Sequence, residues 1–368
     1  MSTKKDKFSF KDRKYMRIAL NLAKARKGLT GENPSVGSVI VKNDKIISIG
    51  QTGYNGRPHS EYNAIKDTSE RLYGSKMYVT LEPCNHYGKT PPCTKNIIQS
   101  GIKEVLYSID DIDKKVKGKS FKILSNKNII VKKGLLKKNV QKFYESYKIN
   151  RVDKLPYVTG KVAISKNRLI YSKGISRITD KVSDKLTHYL RFKNDAILIS
   201  SKTLNTDNPK LDCRLKGYEK FSPKRVILDK DLSINYNSYI YKSAKKNNTI
   251  IFHNSTNNLK IAILKKKQIN LYRMKYSKNN NFDLKKILKK LYNLDVRNLL
   301  VEGGDKLTKN FMKSRLFNQF YLFKSPKILP KSKKHVIFTS LNILNKIYGV
   351  KSRFSSKLAK DNITIYKR

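Results

Sequence analysis

The sequence predicts an α/β protein with two domains, on three observations. Short runs rich in Val, Ile and Leu alternate with stretches whose apolar residues recur at helical spacing. The length of 368 residues suits two domains of ordinary size. Between residues 142 and 155 the apolar pattern gives way to charged residues, and Pro156 follows. We therefore predict domains at residues 1–150 and 151–368, each with a sheet covered by helices.

Local signals predict the elements of the first domain. A helix at 13–26 has its apolar residues on one face and is followed by Gly28, a stop signal. The apolar runs 36–41 and 46–49 flank turn residues at 43–44 and predict a hairpin. The other elements predicted here are a helix from about Ser60, a strand at 77–81, a helix at 92–99 and a strand at 105–109.

The second domain shows the same alternation of strand-like and helix-like segments. Its strand-like runs lie at 157–164, 196–200, 225–229, 249–252 and 298–301, and its clearest helical stretches lie at 180–192 and 284–292. This order predicts a second α/β domain.

The charge balance is strongly basic, with 81 Lys and Arg against 27 Asp and Glu and a net charge of +54. Such a surplus attracts phosphates and nucleic acids. The lysines are scattered together with Asn, Ile and Tyr, however, and form no arm or stripe of the kind that nucleic-acid binders present. We therefore expect no specific nucleic-acid partner and attribute the charge to compositional drift.

Cysteine content and hydropathy predict a cytoplasmic protein. The three cysteines, Cys84, Cys93 and Cys213, are an odd number and argue against a disulfide framework. No apolar run follows the basic start, and no apolar stretch is long enough to cross a bilayer, so we expect no secretory signal and no membrane partner. Cys213 is interpreted as a packing residue. A homo-oligomer is compatible with the sequence.

One stretch carries the residue types of a catalytic zinc site. His59 and Glu61 lie two residues apart, Cys84 follows a predicted strand, and Cys93 comes after eight further residues. One His and two Cys supply three ligands and leave the fourth position of zinc for water. Glu61 is placed to take a proton from that water and to pass it to departing ammonia. The order His-x-Glu and then Pro-Cys is the signature of zinc nucleobase deaminases.

The alternative for these four residues is structural. His59 would then cap a helix, and the two cysteines would be ordinary small buried residues. That interpretation suits a lone histidine, but it leaves the order of the whole set beside a predicted strand end as a coincidence.

The spacing of the cysteines narrows the class further. Nucleic-acid and nucleoside deaminases have Cys-x-x-Cys, whereas here the string is Glu82-Pro-Cys-Asn-His-Tyr-Gly-Lys-Thr-Pro-Pro-Cys93. This string, together with the upstream Asn33-Pro-Ser-Val-Gly37, closely resembles the riboflavin-biosynthesis pyrimidine deaminases. The resemblance implies a cytidine-deaminase-like first domain that removes the 2-amino group of 2,5-diamino-6-ribosylamino-4(3H)-pyrimidinone 5′-phosphate with zinc.

In that family the deaminase is often fused to a reductase, and the resemblance extends into the second half of the chain. It implies a dihydrofolate-reductase-like domain that uses NADPH to reduce the ribosyl chain to a ribityl chain. The matching stretches are Lys161-Val-Ala-Ile-Ser165, the run from Ser200 to Arg214, and Val301-Glu-Gly-Gly304. By resemblance the cofactor contacts are Ala163, Arg177, Thr203, Asp207 and Gly304, and the substrate contacts are Arg191, Leu211, Arg214 and Glu302.

The second domain also departs from the family pattern. Lys166, Asn167 and Arg168 stand where the family usually has an apolar residue followed by Asp-Gly. Ile175 stands where a substrate-contacting Ser is common, and Arg177 where a Trp often stacks on the cofactor. A guanidinium can also stack on a flat ring or pair with a phosphate.

These departures leave three functional interpretations. We favour a bifunctional riboflavin-pathway enzyme acting on a small ribotide. A deaminase with a degenerate reductase domain is the first alternative. A nucleic-acid-acting deaminase, suggested by the net charge, is the second, and the cysteine spacing and the whole second domain argue against it.

Overall fold

The computed structural model describes residues 7–175, 177–276, 281–356 and 359–368. The chain divides into two compact units, Met1–Lys154 and Leu155–Arg368. Within the described ranges, no helix has the length and apolar character that a bilayer crossing needs.

The first unit is a five-stranded sheet with six helices among its described residues. The helices are α1 Phe10–Arg26, α2 Ser60–Lys66, α3 Cys93–Gln99, α4 Lys119–Ser125, α5 Lys137–Phe143 and α6 Glu145–Val152. The strands are β1 Gly37–Lys42, β2 Lys45–Gln51, β3 Lys76–Leu81, β4 Glu104–Ile109 and β5 Ile130–Lys133. The sheet order is β2-β1-β3-β4-β5. β1 pairs antiparallel with β2 and β3, whereas β3, β4 and β5 run parallel.

The centre of this sheet is covered on both faces. Every residue of β4 is buried, and each of β1 and β3 has one residue that is not. The sequences of these strands are therefore nearly continuous apolar runs, as expected for strands with both faces covered. Helix α1 begins at a capping box made by Ser9 and Asp12. It buries Tyr15, Met16, Ala19, Leu20 and Ala23.

A glycine sets how closely α1 approaches the sheet. A Cβ placed on Gly37, the first residue of β1, would lie 2.0 Å from the backbone oxygen of Ala19 in α1. No side chain fits at that distance. Gly37 is thus required by packing, which explains its place in the Asn33–Gly37 motif.

The second unit contains a nine-stranded sheet, a two-stranded sheet and seven helices among its described residues. The helices are α7 Lys181–Phe192, α8 Ser201–Asp207, α9 Tyr239–Lys242, α10 Asn258–Lys266, α11 Leu284–Asn293, α12 Asp305–Lys313 and α13 Leu341–Ile347. The strands are β6 Tyr157–Ile164, β7 Leu169–Ser172, β8 Ala196–Ser200, β9 Lys224–Leu228, β10 Thr249–His253, β11 Asn270–Arg273, β12 Asn298–Val301, β13 Gln319–Lys324, β14 His335–Ile337, β15 Gly349–Ser356 and β16 Ala359–Lys367.

The large sheet has the order β11-β10-β9-β8-β12-β6-β13-β16-β15, and β14 pairs with β7 separately. All pairs from β11 to β13 are parallel, and β16 and β15 continue the edge in antiparallel fashion. Because parallel strands end at the same edge, β6, β8 and β12 bring the segments after them to one place.

The elements expected from sequence are all present, with ends shifted by at most three residues. The sequence did not predict helix α6, which occupies most of the charged stretch at 142–155 and buries Tyr147 and Asn150. It also did not predict the C-terminal strands β13 to β16.

Buried charge in the described residues is mostly acidic. The most buried carboxylates are those of Glu61, Glu82, Glu104, Asp111, Asp229 and Asp361. Arg225 and Arg297 are the most buried cations among the described residues, and Arg191 and Lys161 are mostly buried as well. Most of the lysine surplus therefore lies on the surface.

Replacing Gly37 with Ala should destabilise the first unit. The added methyl would meet the α1 backbone, and overpacking of this kind costs about 3 kcal/mol. We expect a lower urea midpoint for Gly37→Ala, followed by circular dichroism. Gly88→Ala is the matched control, because its nearest neighbour to an added Cβ lies at 3.6 Å. Equal midpoints for the two variants would contradict the packing argument.

Candidate active sites

Three segments of the first unit bring His59, Cys84 and Cys93 together. His59 is the N-cap of α2, Cys84 follows β3, and Cys93 opens α3. The Nδ1 atom of His59 lies 3.3 Å from Cys93 Sγ and 3.5 Å from Cys84 Sγ. All three potential ligand atoms lie within 4.8 Å of one another.

This arrangement fits zinc in both chemistry and size. Zinc prefers thiolate and imidazole donors, and bonds of about 2.0–2.3 Å at tetrahedral angles place ligand atoms about 3.5 Å apart. The two distances from His59 Nδ1 have that value. Three protein donors leave one tetrahedral position free for water.

The two thiols differ in proton affinity. A hydrogen bond from the Cys93 thiol, reinforced by His59, lowers the pKa of Cys84 to about 4. The same hydrogen bond, together with burial, raises the pKa of Cys93. The hydrogen bond with Cys84 raises the pKa of His59. Cys84 is therefore a thiolate at neutral pH, the form in which cysteine binds metals.

Glu61 lies in the first turn of α2 and is 4% exposed. Its Oε2 accepts a hydrogen bond of 2.9 Å from Ser60 Oγ, which lies 2.7 Å from Ser38 Oγ. Burial raises the pKa of the Glu61 carboxyl above its ordinary value. A carboxyl whose pKa moves toward neutrality can both accept and donate a proton, as a proton shuttle must.

Glu82 is a supporting residue to which the sequence assigned no role. Its carboxylate accepts hydrogen bonds from the backbone N–H groups of Asp111, Gly118 and Ser120, at 3.0, 2.9 and 3.1 Å. The Ser120 hydroxyl donates to the Pro83 carbonyl at 2.6 Å. These bonds fasten the loop after β4 to the segment that carries Cys84. An acidic residue directly after a mostly apolar strand was the available signal.

The second unit contains a cavity of about 480 Å³. Its walls come from β6, β7, β14, helix α8 and the start of α12. The cavity brings together most of the predicted cofactor contacts and one predicted substrate contact: Ala163, Thr203, Asp207, Gly304 and Glu302. Lys161, which the sequence gave only as part of a strand, also lines it.

Two glycines shape one wall of this cavity. Gly304 is the N-cap of α12, and a Cβ there would come no closer than 3.8 Å to Thr203 Oγ1. A Cβ on Gly303 would lie 2.8 Å from Leu307 Cδ2, so Gly303 allows the helix to pack. The open backbone at a helix N-terminus, with a threonine hydroxyl opposite, suits the phosphate of a nucleotide.

A buried ion pair lies behind the cavity. Arg191 Nε and Nη2 donate to Glu302 Oε1 and Oε2, both at 2.9 Å, with side-chain exposures of 11% and 14%. Burial alone would raise the pKa of Glu302, but the attraction of Arg191 outweighs it and holds the pKa at about 2. Burial lowers the pKa of Lys161, although Glu302 opposes that effect.

The other predicted contacts lie away from the cavity wall. Arg191 Nη1 donates to the Asp212 carbonyl at 3.1 Å, which links it to the segment holding Leu211 and Arg214. Leu211 is buried with a φ of 58°, and Arg214 is exposed and pairs with Asp212. Arg177 pairs with Asp184 at 3.0 Å and does not line the cavity.

Residues 166–168, which differ from the family pattern, form an ordered turn. Asn167 Oδ1 accepts from Ser165 Oγ at 2.6 Å and from Leu329 N at 3.1 Å, and Asn167 Nδ2 donates to Leu329 O at 2.8 Å. Arg168 takes a φ of 64°. Its carbonyl accepts from Phe338 N at 2.8 Å, which connects the turn to the segment after β14. The turn is thus held by side-chain bonds although Arg168 has left-handed backbone geometry.

Comparisons with known proteins match both halves of the chain. Residues 9–109 match the cytidine and deoxycytidylate deaminase zinc-binding region, and residues 156–363 match the RibD C-terminal domain. The riboflavin biosynthesis protein RibD of Aquifex aeolicus is 37% identical over 86% of this chain and 88% of its own. A diaminohydroxyphosphoribosylamino-pyrimidine deaminase of Buchnera aphidicola is 48% identical over 37% of this chain and 93% of its own.

A solved structure is similar over nearly the whole chain. It is a diaminohydroxyphosphoribosylaminopyrimidine deaminase/5-amino-6-(5-phosphoribosylamino)uracil reductase from Thermotoga maritima, with 31% identity and a TM-score of 0.81. The alignment covers 97% of this chain and 98% of that structure. Together the matches confirm the predicted α/β class, with an N-terminal deaminase domain and a C-terminal reductase domain.

The Arg191–Glu302 pair should make the second unit sensitive to acid. The depressed pKa of Glu302 contributes about 3 kcal/mol that is present above pH ~4.3 and is lost as the pH falls toward 2. Glu302→Gln should abolish this part of the acid loss. It should also lower stability at pH 7 by about 3 kcal/mol, because Arg191 stays buried without its partner.

Urea midpoints measured from pH 7 to pH 2 test this expectation. Glu219→Gln, which alters an exposed glutamate of the same unit, serves as the control. If Glu302→Gln and Glu219→Gln lose stability in parallel on acidification, the ion pair does not have the assigned role.

Proposed function

The chain belongs to the RibD family of bifunctional riboflavin-biosynthesis enzymes, and we propose how its two parts divide the two reactions. Residues 1–150 remove the 2-amino group of 2,5-diamino-6-ribosylamino-4(3H)-pyrimidinone 5′-phosphate. Residues 151–368 then reduce the ribosyl chain of the product to a ribityl chain with NADPH. The deaminase and reductase named in the Thermotoga maritima relative support this pair of substrates.

The observation that carries the deaminase assignment is the convergence of His59, Cys84 and Cys93 beside a buried Glu61. Zinc held by these three residues supplies a Lewis acid that lowers the pKa of a water molecule. Glu61 takes the proton of the attacking water on its carboxylate and returns it to the departing amino group. The ring carbon gains oxygen, and ammonia leaves.

The cavity of the second unit suits the reduction. NADPH supplies a hydride when bound, and Gly304 and Thr203 are positioned to approach its phosphate. Lys161 lies in the cavity with a lowered pKa, so its ammonium can release a proton to the ring oxygen of the ribosyl group as the C1′–O4′ bond breaks and C1′ accepts the hydride. Glu302, fixed by Arg191, offers acceptors for the hydroxyl groups of the substrate.

The remaining predicted residues take supporting places in this proposal. Leu211 and Arg214 belong to the segment that Arg191 fastens, and they are assigned to the substrate. Ala163 and Asp207 are assigned to the cofactor from the cavity wall. Arg177 is assigned to the cofactor from its position in the family pattern, and its pairing with Asp184 must then open. We also propose a cytoplasmic enzyme without a nucleic-acid or membrane partner.

Glu61→Gln and Cys84→Ser should separate proton transfer from metal binding. Glu61→Gln should keep one zinc per chain and lose about 10²–10⁴-fold in deamination, because it removes the shuttle and no ligand. Cys84→Ser should lose the metal. Metal analysis and ammonia release measure the two effects, and Glu70→Gln at an exposed site of the same unit is the control. Full activity of Glu61→Gln would refute its assigned role.

Incubation of the protein with the diaminopyrimidine ribotide, with and without NADPH, tests both reactions by product mass. We expect the mass change of deamination without NADPH and a further gain of two hydrogens with it. Lys161→Met should stop the second change and spare the first. Deamination without any reduction in the unsubstituted protein would favour the alternative of a degenerate reductase domain.

A further inference from the structure

Arg57 contacts the candidate metal site without being one of the predicted ligands. It precedes His59 by two residues and is half-buried. Its Nη1 donates a hydrogen bond of 2.6 Å to Thr90 Oγ1 and lies 3.4 Å from His59 Nε2. A Cβ on Gly88 would lie 3.6 Å from Nη2 of the same guanidinium. The Arg57 side chain thus lies along the segment between the two cysteines.

The short distance between Arg57 Nη1 and His59 Nε2 does not represent a hydrogen bond when the site holds zinc. His59 Nδ1 faces both sulfurs and is the metal-binding atom, so the ring proton belongs on Nε2. A guanidinium has only donors, and two donors do not form a hydrogen bond. The bond to Thr90 is therefore the one that Arg57 makes when the site is loaded.

Thr90 lies in a segment with few other attachments. Residues 86–89 and Pro91 are exposed, although Cys84 and Cys93 on either side belong to the site. Within residues 86–91 the described contacts besides Arg57 are a backbone bond of 3.3 Å from Gly88 to Thr90 and an exposed contact of Lys95 with Tyr87. Asn85, just before this stretch, is held by side-chain bonds to the Val116 carbonyl and to Ser120 Oγ at 3.0 and 3.2 Å. The Arg57–Thr90 bond is the direct side-chain connection between this segment and the residues before His59.

We propose that Arg57 is a positioning residue for the metal ligands. By binding Thr90, three residues before Cys93, it joins the segment that bears His59 to the segment that ends at Cys93. The chain thereby holds its imidazole and thiolates at zinc-binding distance before the metal arrives. This inference rests on the proposed zinc site, because it concerns how that site is kept assembled.

Zinc release to an excess of chelator, followed with a coloured indicator, tests the proposal on the full-length zinc-loaded protein. The variants are Arg57→Ala, Thr90→Val and the double variant. Residues that orient metal ligands typically change affinity 10–100-fold, so we expect each single variant to release zinc about 10-fold faster. Because both remove the same bond, the double variant should be no faster than either single variant.

Matched controls separate this role from a general loss of structure. Thr90→Ser keeps the hydroxyl and should retain zinc like the unsubstituted protein. Arg71→Ala removes an exposed arginine of the same unit and should behave likewise. The cobalt-loaded protein gives an independent readout, since loosening of Cys93 in Thr90→Val should shift its visible ligand-field bands and Thr90→Ser should not.

Each outcome decides the question. Faster zinc release in Arg57→Ala and Thr90→Val, non-additive and rescued in Thr90→Ser, supports the proposal. Unchanged zinc release with a raised KM for the ribotide in Arg57→Ala would overturn it and make Arg57 a substrate contact. Additive effects in the double variant would also overturn it. If the unsubstituted protein binds no zinc, the proposed metal site itself fails, which is a different result.

Discussion

The candidate deaminase site depends on a buried carboxylate that performs no chemistry. Glu82 accepts three backbone N–H groups from the loop after β4, and that loop in turn holds the Pro83 carbonyl through Ser120. An acceptor-only group with several donors around it is stable in the interior, where an unsatisfied one would be costly. Because these bonds fix the backbone before Cys84, they determine where its sulfur lies.

Two glutamates, one in each unit, show how the surroundings of a carboxylate determine its role. Burial raises the pKa of Glu61, whose carboxylate accepts from a serine hydroxyl, and the attraction of His59 only partly opposes this rise. Glu302 is also buried, yet a bidentate arginine holds its pKa at about 2. The raised pKa favours proton exchange by Glu61, whereas the lowered pKa keeps Glu302 an anion that orients its neighbours. Sequence alone gives the same residue type in both places.

The sequence predicted what depends on local pattern. The apolar runs of β1, β3 and β4 were sufficient to predict the fold class, which the family matches confirm. The order of His59, Glu61, Cys84 and Cys93 was sufficient to propose the metal ligands, and the structure brings the three candidate ligands together. Helix α6 was missed because it is only eight residues long and three of them, Glu145, Lys148 and Arg151, are charged. Glu82 bonds to residues that lie 29 to 38 positions further along the chain, and Arg57 bonds to Thr90, 33 positions away. No local sequence pattern reveals contacts between residues so far apart.

The unequal burial of charge has a consequence for how molecules reach this protein. Six carboxylates lie inside while most of the described lysines lie outside, so the surface presented to solvent is more cationic than the net charge indicates. A ribotide phosphate and a dinucleotide are both anions. Their diffusion toward such a surface is accelerated over a distance of about 8–10 Å at ordinary salt. The surface lysines, which we attribute to compositional drift, therefore raise the rate at which substrate and cofactor meet the protein. Binding and reaction after that encounter depend on the residues of the two sites.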